Sequence, residues 1–201
     1  MHKIKHVITS LILVLLATSH VYAEDKNAEH TAVFAGGCFW CIESDFEKLE
    51  GVSKVVSGYT GGSFETANYK TVTRSETGHY EAVKVYYDPK TVSYAELVEY
   101  FWRHIDPTDP AGQFCDKGSS YRSAIFYSGS DEHKIVKKSL ARLNETKPFE
   151  ADIVTAIEPA TSFYLAEEYH QDYYKKNHVR YYIYRNGCGR DNRVEELWGD
   201  E

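Results

Sequence analysis

The 201-residue sequence holds one methionine, and that is Met1. Methionine is readily oxidised to a sulfoxide, so a chain without internal methionine suits an oxidising setting. Proline (5) and glycine (13) are both modest, and 42% of residues are hydrophobic against 26% charged, which excludes collagen-like and disordered chains. Basic residues are outnumbered, 23 to 30, for a net charge of -7. No Lys/Arg cluster is present to displace phosphate counterions, so a nucleic-acid binder is excluded. No apolar run reaches the roughly 20 residues that cross a bilayer. There is no internal repeat or low-complexity tract, and the length fits one domain.

His2, Lys3, Lys5 and His6 precede an apolar run from Val7 to Ala17, and Val21-Tyr22-Ala23 presents small residues at the spacing a signal peptidase prefers. Residues 1–23 are therefore expected to be a cleaved signal peptide and 24–201 a single domain, periplasmic or secreted, with no membrane attachment after cleavage. Beyond a polar leader, Thr31–Ala35 reads as a buried strand, Gly36-Gly37 as a turn, and Phe39–Leu49 as a helix with Ile42, Phe46 and Leu49 on its apolar face. Strands follow at 52–58, 79–87, 121–127 and 153–157. The box Ser93-Tyr94-Ala95-Glu96 starts a helix to about Ile105, and a second long helix spans Asp131–Asn144. Residues 64–78 show no period, 106–119 read as a long loop, and 164–176 as an aromatic-rich helix. The order predicts an α/β (α+β) two-layer sandwich: a ferredoxin-like split βαβ mixed sheet with helices packed on it and a long irregular C-terminal tail.

The densest feature is Gly36-Gly37-Cys38-Phe39-Trp40-Cys41, where the first strand meets the first helix. A thiol there meets unpaired amides and the positive end of the helix dipole, which should favour the thiolate and lower its pKa. Cys38 is thus a candidate nucleophile, and Phe39 and Trp40 are candidate walls of an apolar pocket. Cys38 and Cys41 form a C-x-x-C pair able to close locally. Cys115 and Cys188 complete an even set of four, which in an exported protein also fits structural disulfides, including one between these two.

The run Gly-Cys-Phe-Trp is the signature of the methionine sulfoxide reductase A family, and the chain resembles that family over about 31–199. Supporting segments are Ser57–Gly62, Thr77–Glu81, Cys115–Ser123 and Glu168–Gln171. The resemblance implies reduction of the S epimer of methionine sulfoxide, free or within oxidised proteins, without metal or organic cofactor. It implies that Cys38 attacks, Glu81 supplies a proton, Tyr69 and Tyr121 hold the oxygen, Phe39 and Trp40 receive the methyl group, and Asp116 organises the site. Glu81 would need a raised pKa, which burial against aromatics could provide. The sulfenic acid left on Cys38 would condense with a second thiol. Cys188, between two glycines in the tail, is the first choice, with Cys41 and Cys115 as alternatives. A thioredoxin-like donor would restore the dithiol. The enzyme is expected to be a monomer. His170 and His79 are read as structural.

Three rival readings remain open in the sequence. An envelope thiol-disulfide oxidoreductase would use Cys38 and Cys41, but neither Pro148 nor Pro159 supplies a convincing equivalent of the proline a thioredoxin fold places before a later strand. A four-cysteine zinc module would need two close pairs where only one exists. A purely disulfide-stabilised protein would hold no free thiols.

Overall fold

The computed structural model describes residues 30–199; the expected signal peptide lies outside them. The elements are β1 (His30–Gly36), α1 (Phe39–Phe46), β2 (Val52–Thr60), α2 (Tyr69–Val72), β3 (Tyr80–Tyr87), α3 (Tyr94–Arg103), β4 (Gly112–Gln113), β5 (Asp116–Lys117), β6 (Ser123–Tyr127), α4 (Gly129–Thr146), β7 (Ala156–Pro159), β8 (Phe163–Leu165), α5 (Tyr173–Lys176), α6 (His178–Gly187) and α7 (Arg190–Trp198). The main sheet has the order β7-β6-β1-β3-β2-β8, with only β6 and β7 parallel. Its centre, β6-β1-β3-β2, with α1 and α3 as crossovers, is the expected split βαβ arrangement. Among the described residues, no helix is long and apolar enough to cross a membrane.

Strand alternation divides the core. Phe34, Val83, Val85 and Ile125 point to one face, where they join Ile42 and Phe46 of α1 and Leu97, Val98, Phe101 and Trp102 of α3. Ala35, Ala82, Ala124 and Phe126 point to the other. The capping box at α3 is complete: the Glu96 amide donates to Ser93 Oγ and the Ser93 amide to Glu96 Oε2.

Four segments depart from the sequence reading. The stretch 64–78 contains the short helix α2, started by Asn68, whose Oδ1 accepts from the Thr71 amide at 3.1 Å. Loop 106–119 folds into the β4–β5 hairpin. The first part of 164–176 is strand rather than helix, because β8 pairs along the edge of β2 and Gly58 leaves room for the Phe163 ring, which a β-carbon would meet at 2.4 Å. The tail is not irregular: it forms α6 and α7, joined at Gly189 with φ +66°. Its anchors are polar and aromatic. Arg190 is 2% exposed and donates to the Gly36 and His104 carbonyls, and Trp198 donates to the Ile105 carbonyl. Of α6 only Tyr181 is buried, while Val179, Tyr182 and Ile183 face out, so no aliphatic stripe marked these helices in the sequence.

The turn between β1 and α1 fixes everything at its tip. Gly37 has φ +80°, and a β-carbon there would lie 2.5 Å from Gln113 Cβ. Gln113 is fully buried and locked, its side-chain amide donating to the Asp106 and Gly112 carbonyls and its Oε1 accepting from the Asp106 amide. Gly37→Ala is expected to lower the unfolding free energy by about 2–3 kcal/mol, through a left-handed backbone and an overpacked contact. Denaturant unfolding of the variant beside the parent checks this; an unchanged midpoint contradicts it.

Candidate active site

Cys38 ends the β1–α1 turn as the N-cap of α1 and is 6% exposed. Directly above it a cavity of about 50 Å³ is lined by Cys38, Phe39, Trp40, Tyr69, Glu81, Asp116, Tyr121 and Tyr184. Seven of these were legible in the sequence, and β1, α1, α2, β3, β5 and the turn before β6 bring them together. Tyr184, on α6, is the addition.

Glu81 sits near the start of β3, 1% exposed, and its Oε2 accepts the Phe39 amide at 3.3 Å. Its Oε1 has no hydrogen-bond partner among the described residues. Burial drives its pKa well above the usual carboxylate range, and the nearby Asp116 charge adds to this. A neutral carboxyl with one free oxygen edge is a proton donor at neutral pH. Tyr69 and Tyr121 hydrogen-bond each other beside it; burial pushes Tyr69 up to about 12 and Tyr121 higher still, so both remain donors. The Tyr69 backbone, unremarkable in sequence, is fixed by its amide donating to Glu167 Oε1 at 3.0 Å.

The pKa of Cys38 is opposite to the expectation. Burial raises it well above the ordinary thiol value, reinforced by the hydrogen bond to Cys41 and by the Cys41 and Glu81 charges. The first amide of α1, that of Phe39, is engaged by Glu81. Cys41 lies one helical turn on, 2% exposed, and is lowered, first by the hydrogen bond from Cys38 and then by the Arg190 and Arg185 charges, against its own burial. Of the pair, Cys38 therefore holds its proton more tightly than Cys41.

Cys115 and Cys188 form a disulfide across 73 residues, and Cys38 and Cys41 are free. Cys188 is thus joined to Cys115, and neither is in contact with Cys38 as a thiol. This pairing leaves two of the four sulfurs without a thiolate to offer, so the four sulfurs do not form a zinc site; two free thiols also set aside a purely disulfide-stabilised protein.

His170 carries more than a loop. It is 1% exposed, and its Nδ1 accepts the Trp40 indole N–H at 3.0 Å while its ring packs on Phe39 and Tyr69. Trp40 is held on its other side by Tyr173, stacked at 3.7 Å. Neutral His170 is required for that acceptor role, and burial lowers its pKa to about 4. The Tyr-His-Gln segment was a signal for this residue in the sequence; nothing in the pattern around Tyr184 marked it out.

Because His170 is neutral when folded and titrates near 6.5 when unfolded, the unfolded chain takes up its proton first as pH falls. Its contribution is full above about pH 6.5 and lost toward about pH 4, on the order of 1 kcal/mol across the upper part of that window. His170→Asn, whose amide oxygen can still accept from Trp40, is expected to flatten the fall in unfolding midpoint between about pH 7 and about pH 5. Equal slopes in the two proteins would contradict the assignment.

A family model described as peptide methionine sulfoxide reductase matches residues 30–201. The chain is 49% identical over 189 residues to peptide methionine sulfoxide reductase MsrA 2 of Caulobacter vibrioides, covering 94% of each chain. To MsrA of Ligilactobacillus salivarius it is 50% identical over 171 residues, 85% of this chain and 99% of that one. The fold superposes on Saccharomyces cerevisiae Mxr1 in reduced form with TM-score 0.71 and 32% identity, over 77% of this chain and 89% of that one; Mxr1 is also known in complex with Trx2. The chain belongs to the peptide methionine sulfoxide reductase family.

Proposed function

We propose that the chain is a peptide-methionine (S)-S-oxide reductase, acting on the sulfoxide free or within oxidised proteins. The observation that carries this reading is the convergence, in one small cavity, of a thiol, a neutral carboxyl with a free oxygen and two phenols. Cys38 attacks the sulfoxide sulfur while Glu81 protonates the departing oxygen and Tyr69 and Tyr121 donate hydrogen bonds to it. Phe39 and Trp40 receive the methyl group. The bond formed between Cys38 and the substrate sulfur then breaks as the departed water adds to the Cys38 sulfur, so that Cys38 is left as a sulfenic acid, a proton is released and methionine leaves with the electron pair of the broken bond.

Cys188 then condenses with the sulfenic acid, releasing water, and Cys115 displaces Cys38 from the mixed disulfide. The relay ends with Cys115 joined to Cys188 and Cys38 free, the pairing present in the structure. By analogy with the yeast relative, a thioredoxin-like dithiol is the reductant. A second route is favoured by a separate observation: Cys41 hydrogen-bonds Cys38 and has the lowered pKa of an attacking thiol, so it can resolve the sulfenic acid locally. The same contact is what the alternative of a thiol-disulfide oxidoreductase rests on; the cavity with its proton donors favours sulfoxide chemistry. Localisation is proposed as periplasmic or secreted, on the strength of the leader and Val21-Tyr22-Ala23, with the mature enzyme a monomer free of the membrane.

Cys38→Ser is expected to abolish methionine release, and Glu81→Gln to slow it by about 10²–10⁴-fold, the range for losing a positioned acid. With excess dithiol donor, Cys188→Ser is expected to release one methionine per enzyme at the parental rate and then stall without an intramolecular disulfide at Cys38. If instead it forms a Cys38–Cys41 bond and keeps turning over, the local route is the operative one. A Cys38→Ser protein that repairs the S sulfoxide as fast as the parent would sink the reading entirely.

A further inference from the structure

Glu43 is a buried carboxyl, 1% exposed, that no step of the mechanism uses. It stands on α1 one turn beyond Trp40, and both side chains reach the same segment of chain. Trp40 is gripped there by His170 through the indole N–H and by Tyr173 through stacking. Glu43 Oε1 accepts the Asp172 amide at 3.0 Å, and its Oε2 accepts the Ser57 hydroxyl at 3.0 Å. Asp172 immediately precedes Tyr173 and has φ +53°, a left-handed backbone that is uncommon for a residue with a side chain. The turn it makes brings His170 to the indole nitrogen and Tyr173 to the ring face. Gln171 ties the same turn to β2, its Oε1 accepting the Ser57 amide at 3.0 Å and its Nε2 donating to the Ser57 carbonyl at 2.8 Å. Ser57 thus meets Gln171 through its backbone and Glu43 through its hydroxyl.

We propose that Glu43 is a positioning residue for Trp40: its carboxyl holds Asp172 in the turn that carries His170 and Tyr173, and through them sets the indole that receives the substrate's methyl group. Burial pushes Glu43 up to about 7, and the Glu47 and Asp172 charges add to the rise against its two hydrogen bonds. Neutral or charged, it keeps an oxygen for the Asp172 amide, so the position requires an acceptor of this length rather than a charge. The methyl group meets the indole in the bound sulfoxide and in the transition state alike, so a displaced indole weakens both equally. The loss then falls on KM, whereas loss of a proton donor such as Glu81 falls on kcat.

The inference rests on the reading of Phe39 and Trp40 as the wall that takes the methyl group. The test compares the parent, Glu43→Ala and Glu43→Gln in steady-state turnover of the S sulfoxide and in Trp40 emission. That emission is the difference between each protein and its Trp40→Phe counterpart, because Trp102 and Trp198 also emit. Alanine is expected to raise KM at least about fivefold with kcat within about twofold of the parent, and to shift Trp40 emission to longer wavelength. Glutamine, whose amide oxygen takes the Asp172 N–H while its nitrogen meets the Ser57 hydroxyl, is expected to restore both. A parental KM or an unmoved emission in Glu43→Ala, a loss confined to kcat, or a glutamine protein as impaired as the alanine one overturns the positioning. A parent that turns over no sulfoxide overturns the proposed function instead. Emission then decides: a shift with alanine that glutamine reverses supports the positioning, and any other pattern overturns it. Should Glu43→Ala fail to fold, native-state hydrogen exchange of the parent is the measurement. Equal protection of the Asp172 amide and the Trp40 indole N–H supports the positioning, and unequal protection overturns it.

Discussion

The first free amide of α1 donates to Glu81, and the chemistry of the site depends on that hydrogen bond. Two acids compete at the same helix start. Had the amide faced Cys38, Glu81 would have kept only the Tyr121 phenol as a donor. Instead the amide fixes one oxygen of Glu81 and leaves the other directed into the cavity, while burial keeps both carboxyl and thiol protonated. A stored thiolate reacts with any oxidant that reaches it. A buried thiol next to proton donors acquires its reactivity only where an oxygen is present to take the protons, which suits an enzyme whose substrate is an oxide.

The second constraint is a buried charge network below the cavity. Asp45 of α1, 2% exposed, accepts from Arg185 of α6 at 2.8 Å and lies 3.7 Å from Arg190 of α7. Arg185 also donates to the Tyr181 phenol and makes a two-oxygen pair with Asp191. Removing one member would leave an uncompensated charge in the interior, so the network fixes how the tail seats on α1. The same two guanidiniums lower Cys41. Docking of the tail and tuning of the C-x-x-C pair are therefore one piece of electrostatics, and the tail can also bring Tyr184 to the cavity rim.

The parts legible in the sequence were those with local rules. Strand alternation, the Ser93–Glu96 box and the paired glycines before Cys38 each have a short-range cause, and they position β1, β3, α1 and α3. The resemblance to a known family supplied Glu81, Tyr69, Tyr121 and Asp116, none of which its neighbours would have distinguished. Three things were hidden. The helices of the tail bury a guanidinium and phenols, so their faces carry no hydrophobic period. The direction of the Cys38 shift follows from the burial of its sulfur and from Cys41 and Glu81 beside it, and Glu81 comes from β3, more than forty residues away. The place of Tyr184 in the cavity follows from a contact between α6 and β5 that no spacing in the chain encodes.

The size of the cavity limits what enters. About 50 Å³ is small beside the hundreds of Å³ of a pocket that takes in a whole ligand. The sulfoxide group alone would be enclosed, between the Phe39 and Trp40 rings on its apolar side and Glu81, Tyr69 and Tyr121 on its polar side, while the rest of the substrate stays outside. Selectivity then resides in chirality and polarity at sulfur rather than in the surrounding sequence, because the three substituents must point to three chemically different walls. Inverting the sulfur would exchange oxygen and methyl, leaving the Glu81 and phenol donors against a carbon and the oxygen against aromatic faces, an unpaired polar group in a buried site. A site of this shape is strict about the oxide and tolerant of the protein that carries it.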